Sequence, residues 1–353
     1  TRLVVAQGGL ALRGLGHDVK VHEWRGFLVG QGSPAVLATS HLAELWREPA
    51  MALAARRDWA KVPRFLAGTW PRAMPPSHVF DGDLHRVGAW VAAAQTAPYV
   101  VIDTEYHAPT QRLTLLGIGY PGMDEALQVR WPCGVAYRAR LVEALSALRG
   151  GTVVFQNAMA DLPVLAKAFG WAWASYRGIE DTMLADAVLW PGLPHTLAHL
   201  ASLYGEHDKA KHLAQTDPLL YNLGDVVDTI ASWEALRPQL AADPASEHIY
   251  RTQSLPLIPI IMARHALGIR VNGPRVREAQ PDLTASMGDA ACLARAWAGW
   301  PLNVGSDEQC KLMAYQVEGL PVQRAKHTKQ PTMDGEAVDR LRGRFVTVDG
   351  EHE

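Results

Sequence analysis

The chain has 353 residues, 48% hydrophobic and 20% charged, with a formal net charge of −2 at pH 7. That length suits two or three domains of about 100–200 residues, the ordinary composition excludes a disordered or fibrous chain, and no apolar run nears the ~18 residues of a membrane-crossing helix, so no membrane partner is expected. Cys133, Cys292 and Cys310 stand far apart, which excludes a disulfide framework or a paired-cysteine zinc cluster and suits a reducing compartment. A near-neutral total neither favours nor opposes nucleic acid, because binding follows local basic surface.

In chain order, Leu3–Ala6 reads as a strand, the Gly-Gly pair as a turn before a helix, and Val36–Thr39 as a second strand before a helical stretch rich in Ala, Leu and Arg. These form a first segment, residues 1–66. It starts with Thr and has no basic start or signal cleavage site, so the chain reads as beginning inside something longer or as processed. Pro71, Pro75 and Pro76 break any regular pattern, and residues 67–95 read as a linker. Over 96–245 strand and helix alternate: PYVVID, RLTLLGIGY, EALQVRW and TVVFQN are strands, and Tyr137–Leu148 is an amphipathic helix. Such alternation predicts an α/β layered domain. Beyond it the strand signal disappears. Ser254–Ala266, Pro281–Ala298 and Ser306–Glu318 read as helices, the last opened by a Ser-x-x-Gln cap, so residues 246–353 are a helical segment.

Three carboxylate signals lie within 96–245. Asp103 and Glu105 leave the strand YVVI two residues apart, so they point to one face. Two carboxylates on one face repel unless a cation lies between them; acidic turn residues after a strand are the plainer alternative. Asn157 and Asp161 follow the strand TVVF four residues apart, on one helical face, though a helix cap and a helix-dipole carboxylate would look the same. Tyr221 and Asp225 repeat that spacing, again open to a plain reading as core phenol and terminal acid.

Taken in order, Asp-x-Glu, Asn-x-x-x-Asp and Tyr-x-x-x-Asp resemble the three motifs of the DEDD exonucleases, in the tyrosine form found in family A DNA polymerases and the RNase D group. The intervening EDTMLADAVLWPGLPHTLAHLASLYGE also resembles the family A exonuclease, and the likeness spans about residues 97–240. It implies an RNase H-like (DnaQ-like) α/β domain with a mixed central sheet flanked by helices. It also implies two Mg²⁺ ions, for which Mn²⁺ substitutes. By that likeness Asp103 bridges the ions, Glu105 and Asp225 complete the tighter site, Asp161 acts on the second ion through water, and Tyr221 orients the attacking water. Asn157 positions the substrate, and Tyr106, His107 and Gln111 border the terminal nucleotide. Asp181, Asp186 and Asp228 read as structural acids or as supports behind the ion-binding carboxylates, and Leu113, Leu115 and Trp190 as core.

The flanks resemble the same polymerases. LPLIPIIMARHALGIRVNGPRV and LNVGSDEQCKLMAYQVEGLPVQRAKHTKQPTMDGEAVDRL are similar to the start of the thumb, with Arg324, Lys326, His327 and Lys329 as a basic loop suited to duplex phosphates. No palm or fingers motif appears in the sequence, so no polymerase activity is expected. GGLALRGLG, EWRGFLV and VLATSHLAELWREP resemble the C-terminal half of a uracil-DNA glycosylase-like domain, with His41 and Arg47 on matching positions. Leu42 and Ala43 replace the Pro and Ser of that pattern, and its water-activating motif is missing, so no glycosylase activity is expected. The resemblance implies a proofreading 3′→5′ exonuclease of a phage-like polymerase, acting on a single-stranded DNA 3′ end or primer-template in the cytoplasm of a bacterial or phage-infected cell. The alternatives are an RNase D-like exoribonuclease and a catalytically silent nucleic-acid-binding module.

Overall fold

The structure is a computed structural model that describes residues 2–30, 32–325 and 330–345. The chain divides into two bodies, Thr1–Leu267 and Gly268–Glu353. Among the described residues no helix is long and apolar enough to cross a membrane.

The first body begins with β1 (Leu3–Gln7), α1 (Gly8–Gly14), α2 (Val21–Trp24), β2 (Ala35–Thr39), α3 (Leu42–Arg47) and α4 (Ala52–Leu66). β1 and β2 pair in parallel with Leu3 opposite Ala35, over a small core of Ala6, Leu12, Val29, Val36 and Ala38. The Gly-Gly pair is no separate turn. Gly8, at φ +84°, redirects the chain within one residue and α1 starts there. His41 is the N-cap of α3, its Nδ1 accepting from the Ala43 amide at 3.1 Å.

Next come β3 (Ser77–Val79) and α5 (Leu84–Ala94), both inside the expected linker. β3 pairs in parallel with β6, Ser77 opposite Ala126, and Val87, Trp90 and Val91 of α5 are buried in the main core. The preceding stretch is pinned too: Trp70 is buried and the Arg72 amide donates to the Glu206 carbonyl at 2.6 Å. The three prolines lie just before β3, where a strand tolerates their missing donors, and three residues are too few to display alternation.

The rest of the body comprises β4 (Val100–His107), β5 (Arg112–Gly119), β6 (Ala126–Arg130), α6 (Val135–Ser146), β7 (Thr152–Phe155), α7 (Ala158–Phe169), β8 (Gly178–Asp181), α8 (Thr182–Leu189), α9 (Leu197–Tyr204), α10 (Pro218–Ala242), α11 (Pro244–Ile249) and α12 (Leu255–Leu267). The sheet order is β3-β6-β5-β4-β7-β8. β4–β5 and β5–β6 are antiparallel and the other pairings parallel, so the central sheet is mixed, with helices on both faces. Val100 and Ile102 of β4 join a core with Leu141 of α6 and Leu162 of α7. Tyr99 and Val101 join the opposite core with Leu200 of α9 and Val226 and Trp233 of α10. Strand alternation thus assigns even positions of β4 to the α7 face and odd positions to the α10 face.

Residues 246–267, expected with the helical tail, pack in this first body. Ile258 is buried in the main core, and the Tyr250 hydroxyl donates to Glu180 Oε2 at 2.8 Å while accepting from the Asp181 amide at 2.8 Å. The second body holds α13 (Gly273–Ala298), α14 (Asp307–Lys311) and α15 (Gly335–Phe345). α13 starts eight residues before the expected Pro281, because Asn272 caps it by accepting from the Arg275 amide. Leu302, Met313, Ala337 and Leu341 are its most buried apolar side chains among the described residues. Arg324 forms an antiparallel bridge with Pro331; Lys326, His327 and Lys329 of the expected basic loop lie outside the described residues.

Candidate active site

The odd positions of β4 carry Asp103 and Glu105 toward the face covered by α10. Asp225, one turn after Tyr221, projects from α10 back toward them. One carboxylate oxygen from each of Asp103, Glu105 and Asp225 lies within 4.8 Å of the other two. Asp225 is buried, Asp103 and Glu105 are partly buried. Tyr221 is also partly buried, on the same face of α10 as Asp225 by its spacing. Three like charges held this close cost electrostatic energy, which a divalent cation reverses. The donors are all carboxylate oxygens, the set that hard cations such as Mg²⁺ and Mn²⁺ prefer, so the residues fit the expected ion.

Asp161 is not one of those three, and the parity of β4 explains it. Thr104 occupies an even position and faces α7, and Asp161 in the first turn of α7 meets it there. Asp161 Oδ1 accepts from the Thr104 amide at 3.0 Å and from the Thr104 hydroxyl at 2.5 Å. Burial pushes the Asp161 carboxyl well above the ordinary carboxylate range, the two Thr104 hydrogen bonds pull against it, and Asp181 and Glu105 push it further up. Asp161 therefore abuts the cluster across the strand, one oxygen engaged by the backbone between Asp103 and Glu105.

Residues 83–236 match the family model of a 3'-5' exonuclease, the exonuclease domain of the DNA polymerase A group. Over these residues the chain is similar to the 3′-5′ exonuclease domains of that group. The chain is 26% identical over 271 residues to DNA polymerase I of Chloroflexus aurantiacus, covering 68% of this chain and 28% of that protein. It is 24% identical over 200 residues to DNA polymerase I of Bacillus subtilis, covering 52% of this chain and 22% of that one. It thus spans about a quarter of the length of the curated relatives it matches. Among solved structures, the POL domain of Pol1 from M. smegmatis in complex with DNA primer-template and dNTP shares the fold. The TM-score is 0.50 and the identity 20%, over 73% of this chain and 44% of that one.

The other residues singled out from the exonuclease motifs are placed as follows. Asn157 is the residue before α7, but its side chain makes no cap hydrogen bond and its backbone is left-handed at φ +66°. The capping role belongs to Asp181, which accepts from the amides of Asn157 at 3.3 Å and Ala158 at 2.7 Å and also from Met183 and Leu184. β4 continues through Tyr106 and His107, past a bulge between Glu105 and Tyr106. Burial raises the Tyr106 hydroxyl pKa, with Asp161 and Glu105 adding to it. Gln111 occupies the β4–β5 turn at φ +50°. Asp186 Oδ2 lies 2.6 Å from His195 Nδ1, and Asp228 is ion-paired to His207 at 3.0 Å. Leu113 and Leu115 are buried, and Trp190 donates its indole N–H to Gln239 at 3.2 Å.

Motif reading missed the exonuclease domain's buried amides. Asn222 Nδ2 donates to Asp103 Oδ2 at 2.7 Å, and Gln128 Nε2 donates to Asn222 Oδ1 at 3.0 Å. Gln128 lies outside all three motifs, and Asn222 falls at an unspecified position of the third, one residue after Tyr221.

Proposed function

We propose that the chain is the proofreading module of a family A DNA polymerase, removing nucleotides one at a time from a single-stranded DNA 3′ end by two-cation hydrolysis. The observation that carries this reading is the convergence of Asp103, Glu105 and Asp225 from β4 and α10 inside a family A exonuclease domain. A pair of divalent cations held there supplies an activated water near neutral pH and offsets the charge on the departing 3′ oxygen. Asp103, Glu105 and Asp225 would hold the ions, and Asp161, fixed through Thr104, would act on the second one. The Tyr221 hydroxyl orients the attacking water, needing no strong basicity. Asn157, Tyr106, His107 and Gln111 border the terminal nucleotide, where stacking and phosphate contacts bind without reading sequence. This is the tyrosine form of the DEDD pattern, and the 353 residues carry no polymerase chemistry of their own.

The test is a 5′-labelled single strand incubated with the full chain. Shortening from the 3′ end that requires Mg²⁺ or Mn²⁺, stops with EDTA and is faster on DNA than on RNA of the same sequence supports the proposal. Preference for RNA makes the chain an RNase D-like exoribonuclease, and no shortening with either metal makes it a silent binding module.

A further inference from the structure

Three strands cross under α10 in register. Asp103 of β4 is opposite Gly117 of β5, and Gly117 is opposite Gln128 of β6. All three occupy the face that α10 covers, since their neighbours Ile102, Leu116 and Leu127 lie in the opposite core. The middle position has no side chain, and Asn222 of α10 fills the space. A Cβ on Gly117 would lie 2.2 Å from Asn222 Oδ1 and 2.9 Å from a Val226 methyl. Across that gap Asn222 spans from Gln128 to Asp103, its amide 2.7 Å from Asp103 Oδ2 and its carbonyl 3.0 Å from Gln128 Nε2. Asn222 and Gln128 are both fully buried.

The direction of this relay is fixed at its far end. Gln128 Nε2 also donates to the Leu219 backbone carbonyl at 2.8 Å, which only accepts. Gln128 must therefore present its NH₂ group, Asn222 must present its oxygen to it, and the Asn222 NH₂ is left facing Asp103. The Asp103 carboxylate plane is thereby set by a backbone carbonyl of α10, the helix that also delivers Asp225. Outer hydrogen bonds of this kind orient a ligating carboxylate and tune affinity for the ion.

We propose that Asn222 is a positioning residue. Seated over Gly117 and held by Gln128, it locks the Asp103 carboxylate in the orientation in which Asp103, Glu105 and Asp225 receive a divalent cation. This rests on reading those three carboxylates as the cation site.

The test titrates Mn²⁺ into the full chain after stripping with EDTA, reading affinity from the magnetic resonance signal of free Mn²⁺, with the metal dependence of strand shortening as a second readout. Asn222→Leu, of similar volume, weakens Mn²⁺ binding by about tenfold or more and raises the metal concentration for half-maximal rate by the same factor. Gln128→Met, which leaves Asn222 in place but unheld, falls between parent and Asn222→Leu and carries the test should Asn222→Leu fold poorly. If Asn222→Leu and Gln128→Met bind Mn²⁺ as tightly as the parent while Asp103→Asn loses it, the positioning role is wrong and the cation site stands. If the parent binds no Mn²⁺, the cation site and the role built on it fall together.

Discussion

The first body contains two clusters of buried charge, built on opposite rules. Where the first segment meets the exonuclease domain, signs alternate. Arg25 donates to Asp58 Oδ1 at 2.8 Å and to the Ser202 hydroxyl, Thr39 donates to Asp58 Oδ2 at 2.7 Å, and Lys61 donates to the carbonyls of Gly26 at 2.7 Å and Ser202 at 2.9 Å. Gly26 is required there: at φ +78° its missing Cβ would lie 2.5 Å from the Ser202 carbonyl oxygen. Burial pushes the Lys61 amine down to about 8 and the Asp58 carboxyl up, each opposed by its partner. Between β4 and α10 the signs repeat: three carboxylates gather within 4.8 Å. A mixed-sign buried network fixes how two pieces of chain fit together, whereas same-sign convergence works against the fold and makes sense only through what it binds.

Three substitutions break or sharpen that contrast. Asp103→Ala gives the largest effect, a fall in Mg²⁺-dependent strand shortening of about 10⁴-fold, with only a small change in melting temperature because relief of like charges offsets the lost hydrogen bond from Asn222. Activity at the parent's level would remove Asp103 from the chemistry, and a large drop in melting temperature would mean that the acid cluster supports the fold. Arg25→Ala gives the opposite pattern: removing one partner of a buried pair costs about 3–5 kcal/mol of stability in denaturant unfolding, with the rate per folded molecule kept. A cost below about 1 kcal/mol, typical of exposed pairs, would mean that the joint is solvated. The third effect is smaller and depends on pH. Burial alone would lower the His207 pKa, but Asp228, Nε2 to Oδ1 at 3.0 Å, and the Asp208 carbonyl at 2.6 Å outweigh it, and the value rises from 6.5 to about 9. Because the folded value is the higher one, the stabilisation is fully present below pH 6.5 and is lost as pH rises through about 9. His207→Gln should therefore cost about 1–3 kcal/mol in mildly acidic buffer and less in alkaline buffer. A cost that does not change with pH would show that His207 acts by packing alone.

The acids were legible in sequence because their signal is local. Asp103 and Glu105 share a strand, and Tyr221 and Asp225 share a helix face, so period two and period four suffice. The separation of Asp161 from the other three was also implicit in parity, but only once Ile102 and Val101 are assigned to opposite cores, which sequence alone does not do. Gln128 and Asn222 were illegible for a different reason: their meaning depends on Gly117 falling between Asp103 and Gln128 in register, a fact of pairing. β3 and α5 were hidden by Pro71, Pro75 and Pro76, whose breaking signal drowned three residues of strand. The tail boundary was misplaced because helices on either side of residue 246 look alike, and only Tyr250 and Ile258, by where they are buried, assign the stretch up to Leu267 to the first body.

The bond from Asn222 to Asp103 joins positions 119 residues apart. During synthesis β4 emerges with two of its acids long before α10 exists to bring the third. Until α10 docks, Asp103 and Glu105 lack the third carboxylate, so the proposed cation site is assembled only in the finished tertiary structure.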